Sequence, residues 1–342
     1  MRVSASAPGK LVLTGEYAVL KGAPALVLAV DRRVSVVLET GPGDTLEVVS
    51  PTLGLAAQVQ IRHGRVAWSD THPPELAWVA TLLERQAHTG YLAAGRIELE
   101  SDRLYHAEGE SYVKLGLGSS AALAVALLGA LRAAAGSPAP TLAECVREYR
   151  AARGGHGSGV DVAASLAGGL ARFRLEREQP LSSAAQLPAG LHWRCLYSGR
   201  PTSTSAMLAT VAAWREREPR TFAQRMHELT VIATRCAQAV SDGDAAAFLS
   251  SLANYAQALA RFGEAAGADI ASREHRALAA IAASHGCVYK SCGAGGGDVG
   301  IAFSADPAHL QDFTAQATKA GFNTIGLDAD PQGLAVRMTD PE

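Results

Sequence analysis

Along the first hundred residues the apolar positions come in short runs. Residues 25–29 and 33–39 are β-branched or apolar, 46–49 and 59–62 continue the pattern, and each run predicts a strand. One helix, about 75–88, interrupts them and is ended by Gly90, after which 96–100 alternates as a strand does. From Ser119 the texture changes. Residues 119–135 are almost wholly apolar and alanine-rich up to Gly136-Ser137-Pro138, so this helix is expected to be buried on all faces. Thr141 and Glu144 form a capping box for a helix reaching about 152. Gly154, Gly155, Gly157 and Gly159 then break the chain, Asp161 opens another short helix, and 170–176 alternates again.

Glutamine, proline and serine concentrate over 178–190, which predicts a junction between two domains, 1–185 and 186–342. Beyond it, 193–197 reads as a strand and 205–217, 222–241, 244–262 and 272–285 as helices. Strands at 288–290 and 299–303 flank a glycine-rich loop, and a helix at 307–320 with strands near 322–325 and 334–337 closes the pattern. There is no internal repeat. The expected class is α+β in two domains.

A length of 342 residues has room for about two domains. The formal net charge is −2, from 31 Lys+Arg against 33 Asp+Glu, which argues against a general nucleic-acid or anionic-membrane binder. It leaves room for a small anionic substrate, which needs only a few placed cations. The longest apolar runs, such as 121–131, are too short to span a bilayer, and the start MRVSASAPGK lacks the apolar core of a secretory signal. Cys145, Cys195, Cys236, Cys287 and Cys292 are odd in number and scattered, and no Cys/His spacing suits zinc. The expectation is a cytoplasmic protein with reduced thiols.

The most informative segment runs from Lys114 to Ala122, KLGLGSSAA. Gly116 and Gly118 allow close backbone approach and φ values that other residues avoid. Ser119 and Ser120 open the long helix, whose free N–H groups and positive dipole end suit a phosphate. Their hydroxyls suit phosphate oxygens or Mg²⁺. The plainer reading is a glycine pair followed by a serine N-cap. Two rival nucleotide motifs fail: a Walker loop would need glycine where Ser4 stands, and no acid follows Gly116-x-Gly118 at ribose distance. A second segment, PGKLVLTGEYAVL from Pro8, holds Lys10 between a turn and an apolar run. A third, KSCGAGGGD from Lys290, puts costly glycines between two strands, where the alternative is a flexible linker. Between them lie HGSGVDVAAS from His156, where Asp161 is either functional or an N-cap, and SGRPTSTS from Ser198, where Thr204 or Ser205 caps the next helix or serves a ligand.

These three glycine-rich segments, in this order and spacing, resemble the GHMP kinase superfamily over essentially the whole chain. Within it the GEYAVL, Lys114-GLGSS, GSGVDVAAS, SGRPTSTS and YKSCGAGGGD forms look most like the phosphomevalonate kinase branch. Two positions depart from that pattern: Cys292 stands where serine is expected and Arg153 where glutamine is common. The resemblance implies an N-terminal domain with a left-handed βαβ unit, against the usual hand, and a ferredoxin-like C-terminal domain. It implies transfer of the γ-phosphoryl of MgATP to 5-phosphomevalonate, with Mg²⁺ as cofactor and a monomer or homodimer without nucleic-acid or membrane partners. Lys10, Lys114 and Asp161 would be catalytic, Asp161 orienting the acceptor or acting as base. Gly116, Leu117, Gly118, Ser119 and Ser120 would cradle ATP, Ser120 also holding the metal. Ser158, Arg200, Ser205, Gly295, Gly296 and Gly297 would bind substrate or close the site. Mevalonate kinase, a decarboxylase on the same fold and a non-catalytic nucleotide binder are the alternatives.

Overall fold

A computed structural model describes residues 1–68, 73–108, 111–155 and 157–339, so His156 lies outside the described residues. The first part of the chain contains strands β1 (Arg2–Thr14), β2 (Ala25–Thr40), β3 (Thr45–Ser50), β4 (Leu55–Arg62), β5 (Arg65–Trp68), β6 (Gly95–Glu100), β7 (Tyr105–Glu108), β8 (Ser111–Lys114), β9 (Leu170–Glu176) and β10 (Gln179–Ala185). Its helices are α1 (Ala77–Ala87), α2 (Ser119–Ala134), α3 (Leu142–Ala152) and α4 (Val160–Ala167). The second part holds β11 (His192–Tyr197), α5 (Thr204–Arg217), α6 (Pro219–Asp242), α7 (Ala245–Ala266), α8 (Arg273–Ser284), β12 (Val288–Ser291), β13 (Val299–Ser304), α9 (Pro307–Lys319), β14 (Asn323–Ile325) and β15 (Ala335–Thr339).

The large sheet runs β10-β9-β2-β6-β3-β4-β5, with β1 along the other side of β2 and β15 beyond β1. Its neighbours are antiparallel except β3 and β6, which run parallel. In β1 burial alternates from Arg2 to Ala7 and then becomes continuous to Thr14. The change marks where helices cover both faces of the strand. The buried helix α2 packs on β1, β2, α4 and β15. Gly129 lets it come close to the returning chain, because a Cβ there would lie 2.8 Å from a methyl of Leu334.

The small sheet runs β12-β13-β11-β14, all antiparallel. Numbered from β11 this is a βαββαβ unit of order 4-1-3-2, the ferredoxin-like arrangement expected for the second part. Leu278, Ala282, Leu310 and Phe313 of α8 and α9 fill one face against Leu196 and Ala302. On the other face Phe248 of α7 meets the Phe303 ring edge-on at 5.5 Å between centroids.

Several local expectations change. The runs 25–29 and 33–39 are one strand, β2, whose register against β1 shifts at Pro8/Gly9 and leaves Asp31 and Arg32 unpaired as a bulge. The stretch 178–190 is not all linker. Residues 179–185 form the edge strand β10, folded back on β9 through Arg177 and Glu178, both at positive φ (49° and 67°). That is the tight two-residue hairpin geometry, made without the usual Asn or Gly. Pro180 is tolerated because the strand is an edge. The last strand, β15, returns to the first sheet, pairing Arg2 with Thr339 and Ser6 with Ala335.

Candidate functional site

The site is built around Gly9. A Cβ there would stand 3.0 Å from the Leu117 carbonyl oxygen and 3.1 Å from that of Arg32. Without it, strand and loop meet backbone to backbone, and the Lys10 N–H donates to the Leu117 carbonyl at 2.8 Å. The Lys10 side chain is buried. Its ammonium donates to the Gly116 carbonyl at 3.1 Å and stands 3.8 Å from Asp161 Oδ1.

Gly116 and Gly118 have φ of 72° and 82°, the left-handed region where glycine is favoured. Gly118 is the N-cap of α2, and no side chain caps that helix. The positive end of the dipole and the first-turn N–H groups are thus offered to an anion. Ser119 is buried and Ser120 half-buried in this first turn. A Cβ on Gly118 would lie 2.9 Å from Lys10 Cε, and one on Gly116 would run into the Asp298 carboxylate. Each glycine therefore makes room for a charged side chain to lie across the loop.

Ser119, Ser120, Lys114 and Arg153 line a cavity of about 540 Å³ whose lining also includes Leu53, Trp78 and Leu123. That size and mix of apolar wall with a few polar groups suits a small molecule. Lys114 keeps solvent contact along its length, yet desolvation around its ammonium lowers its pKa. Repulsion from Arg153 and Lys10 acts in the same direction, and Asp298 and Asp161 oppose it.

Asp161 sits inside the first turn of α4, whose N-cap is Gly159, so it is not a cap and its carboxylate faces Lys10. Ser158 accepts from the Val160 N–H at 3.3 Å, and its carbonyl accepts from Arg150 at 2.9 Å. Neither Thr204 nor Ser205 caps α5. Ser203 does, accepting from the Ala206 N–H at 3.3 Å, with the Ser205 hydroxyl 3.0 Å from its own. The Arg200 guanidinium is held 3.0 Å from Asp269 and 3.9 Å from Glu274, and its carbonyl accepts from the Asp298 N–H at 2.7 Å. Gly295, Gly296 and Gly297 pack against protein: a Cβ on them would strike Ile270, Met207 and the Arg200 carbonyl. These glycines let the loop fold down onto 200–202 and 270.

Asp298 stands in the sequence only as the last residue of the KSCGAGGGD segment, with no role of its own, yet the structure brings it to the centre. It ends the glycine-rich loop with φ 57° and accepts from the Thr202 N–H at 3.1 Å. Its carboxylate faces Gly116, and burial raises its pKa against the lowering effect of the Thr202 N–H, Lys10 and Lys114. Lys10, Lys114, Asp161 and Asp298 thus come from four distant stretches of chain and gather at one helix N-terminus. Among the described residues no cluster of three or more His, Cys, Asp or Glu could hold a metal by itself, and no helix is long and apolar enough to cross a membrane.

Comparison with known proteins bears on this arrangement. The profile of the GHMP kinases N terminal domain matches residues 75–169, which include the glycine loop at 116–118, α2 and Asp161. A phosphomevalonate kinase from Streptomyces sp. (strain CL190) is 32% identical over 90% of this chain and 91% of its own length. A mevalonate kinase from Mus musculus is 29% identical over 94% of this chain and 91% of its own. The solved phosphomevalonate kinase of Streptococcus pneumoniae, in complex with phosphomevalonate and AMPPNP, superposes with a TM-score of 0.77 at 19% identity, covering 96% of this chain and 99% of that one. The last of these speaks for the fold alone, but an identity of 32% sustained over 90% of the chain speaks for descent. The protein belongs to the GHMP kinase family and is an ATP-dependent phosphotransferase.

Proposed function

We propose that the protein transfers the γ-phosphoryl of MgATP to the phosphate of 5-phosphomevalonate, giving 5-diphosphomevalonate and ADP. The observation that carries this reading is the phosphomevalonate kinase relative, similar over 90% of this chain and 91% of its own. The site chemistry agrees with it. Phosphoryl transfer needs alignment and charge neutralisation more than covalent help. A phosphate acceptor is already ionised near neutral pH, so cations matter more than a strong base. Lys10, buried against Gly116, and Lys114, in the lining of the cavity, are those cations.

In this reading the N-terminus of α2 with Gly116, Leu117, Gly118, Ser119 and Ser120 receives the ATP phosphates, and the apolar side chains that line the cavity receive the base. The Ser120 hydroxyl would hold the magnesium that accompanies the nucleotide. A hard cation that takes most of its oxygens from phosphates and water needs few protein ligands, and the half-buried Ser120 hydroxyl in the first turn fits that demand. Bound there, it would offset negative charge on the nucleotide. Asp161 orients the acceptor beside Lys10. Ser158, Arg200 and Ser205 serve the acceptor side, Arg200 after exchanging its acidic partners for an anion, and Gly295 to Gly297 shape the wall. The division of the chain near residue 185 puts the nucleotide on the first domain and the glycine-rich loop on the second.

Mevalonate as acceptor is the second reading, favoured by the mouse mevalonate kinase relative. Asp161 would then act as base on a hydroxyl. Coupled ADP release with mevalonate and with phosphomevalonate separates the two. The proposal requires the higher kcat/KM with phosphomevalonate, and a higher value with mevalonate overturns it.

A further inference from the structure

Six residues beyond Lys10, just past the end of its strand β1, stands a second charged group, Glu16, that the chemistry above does not use. Its partner is Lys290, on β12 of the other sheet. Both side chains are withdrawn from water, at 3% and 1% exposure, and Lys290 Nζ stands 2.5 Å from Glu16 Oε1. The same ammonium donates to the Val12 carbonyl of β1 at 3.3 Å and to its neighbour's carbonyl, Ser291 O, at 2.5 Å. All three of its donors are therefore spent, one on the strand that carries Lys10, one on Glu16 just past that strand and one on the strand that leads into the glycine-rich loop.

The surroundings repeat the pattern. The Tyr255 hydroxyl of α7 accepts from the Gly15 N–H and donates to the Glu16 carbonyl, both at 3.0 Å. Tyr17, held at φ 60°, donates its hydroxyl across to the Ala294 carbonyl inside the glycine-rich loop at 2.7 Å. At the far end of that loop the buried His275 bonds the Gly297 carbonyl at 2.8 Å. The loop is thus pinned at Ser291, Ala294 and Gly297, and two of these pins come from residues 16–17 or from the lysine they hold. Asp298 follows the last pin.

A buried ion pair is a poor device for stability alone, since an apolar pair of similar volume holds a core as well. This one even leaves Glu16 Oε2 buried without a hydrogen-bond partner. What an ammonium with three fixed acceptors supplies is direction. We propose that Glu16 and Lys290, with Tyr17, are positioning residues for phosphoryl transfer: they set the glycine-rich loop and its Asp298 relative to Lys10 across the phosphate loop. This rests on the kinase reading of the site given above. They touch neither phosphate nor nucleotide and act through Lys10 and Asp298.

The test uses the full chain. Wild type is first assayed with phosphomevalonate and with mevalonate, and whichever acceptor it uses serves for every variant, so a wrong acceptor assignment shows in wild type and leaves the comparison intact. The variants are Glu16→Leu/Lys290→Met together, which removes both charges, and Tyr17→Phe, which deletes one hydroxyl and keeps the ring packed on Phe262. Misplacement of reacting groups by about 1 Å costs up to about 10²-fold in rate. The double variant should lose about 10–100-fold in kcat and Tyr17→Phe about 3–10-fold, with KM for ATP nearly unchanged because α2 and its loop are untouched. Melting curves by circular dichroism confirm that the assay is run on folded protein. A folded double variant with wild-type kcat overturns the proposal, because a purely structural pair would alter the melting temperature and leave kcat alone. If the double variant does not fold, Tyr17→Phe decides, and wild-type kcat in that variant overturns the proposal equally.

Discussion

Replacing Gly118 by alanine adds one methyl where the glycine loop at 116–118 meets the first strand, and its effect follows from two distances. Gly118 lies at φ 82°, ψ 30°, where an L-residue costs about 1–2 kcal/mol. The new Cβ would stand 2.9 Å from Lys10 Cε and 3.1 Å from Lys10 Cγ, closer than carbons pack. One side must move. The backbone cannot, because the Lys10 N–H is bonded to the Leu117 carbonyl at 2.8 Å. The Lys10 side chain therefore yields, and its ammonium leaves the Gly116 carbonyl. A shift of about 1 Å in a transition-state cation costs up to about 10²-fold in rate. Helix α2 keeps its N–H groups, so nucleotide affinity should change little, about threefold at most. The backbone strain should lower the melting temperature by about 2–4 °C. The assays are coupled ADP release, nucleotide titration and a circular dichroism melt. The decisive comparison is made in a Lys10→Met background. If the methyl acts by displacing Lys10, Gly118→Ala adds almost nothing to kcat once the lysine is gone. An undiminished effect in that background, or wild-type kcat for Gly118→Ala alone, refutes the reasoning.

Lys10→Met and Lys114→Met should each lower kcat by about 10²–10³, by analogy with removal of one preorganised donor, and Asp161→Asn should cost less. Turnover abolished by Asp161→Asn while both lysine variants stay near wild type would instead indicate a base-driven reaction. Because desolvation lowers the Lys114 pKa from 10.5, its positive charge is lost as pH rises through that lowered value. The alkaline fall of kcat/KM should therefore begin below pH 10.5, and Lys114→Arg, which stays charged, should move it upward. A profile identical in the two proteins would count against Lys114. Away from the site, the Thr141 backbone N–H and Arg132 hold the Glu144 carboxyl down to about 2 from 4.5. Its contribution is complete above 4.5 and lost as pH falls through about 2. Glu144→Gln should thus cost about 1 kcal/mol near neutral pH and almost nothing at the acid end. An equal melting offset at both pH values would refute that assignment.

Much of this was legible in the residues alone. Glycines at 116 and 118 ahead of two serines and an all-apolar helix leave few other structures, because each glycine removes a Cβ that the turn forbids and the helix has no polar face to show to water. The Thr141–Glu144 capping box is local chemistry, read four residues at a time, and both of its hydrogen bonds are present. The hairpin at Arg177-Glu178 was hidden for the opposite reason: neither residue favours positive φ, and pairing along seven residues of β9 and β10 imposes it. The same holds for β2, where Asp31-Arg32 look like a strand end and are a bulge.

The site divides along the same line. Whereas Lys10 and Asp161 became candidates through the family resemblance, sequence alone marked the glycine loop at 116–118 with Ser119, Ser120 and Lys114 as a candidate anion site, since such a site demands glycine, N–H groups and a cation near one another along the chain. It could not determine what Lys10 touches, because Gly116 is 106 residues away and only the packing of β1 against the loop brings them together. Tertiary structure alone decided that Ser203 caps α5, that Arg200 is held by acids and that the glycines of 295–297 accommodate protein. It also decided that Asp298 enters the site, and that Glu16 meets a lysine 274 residues further on. The physical reason is the same in each case. Propensity and patterning act over a few residues, whereas a buried charge takes its meaning from whichever group the fold places beside it, out of reach of water.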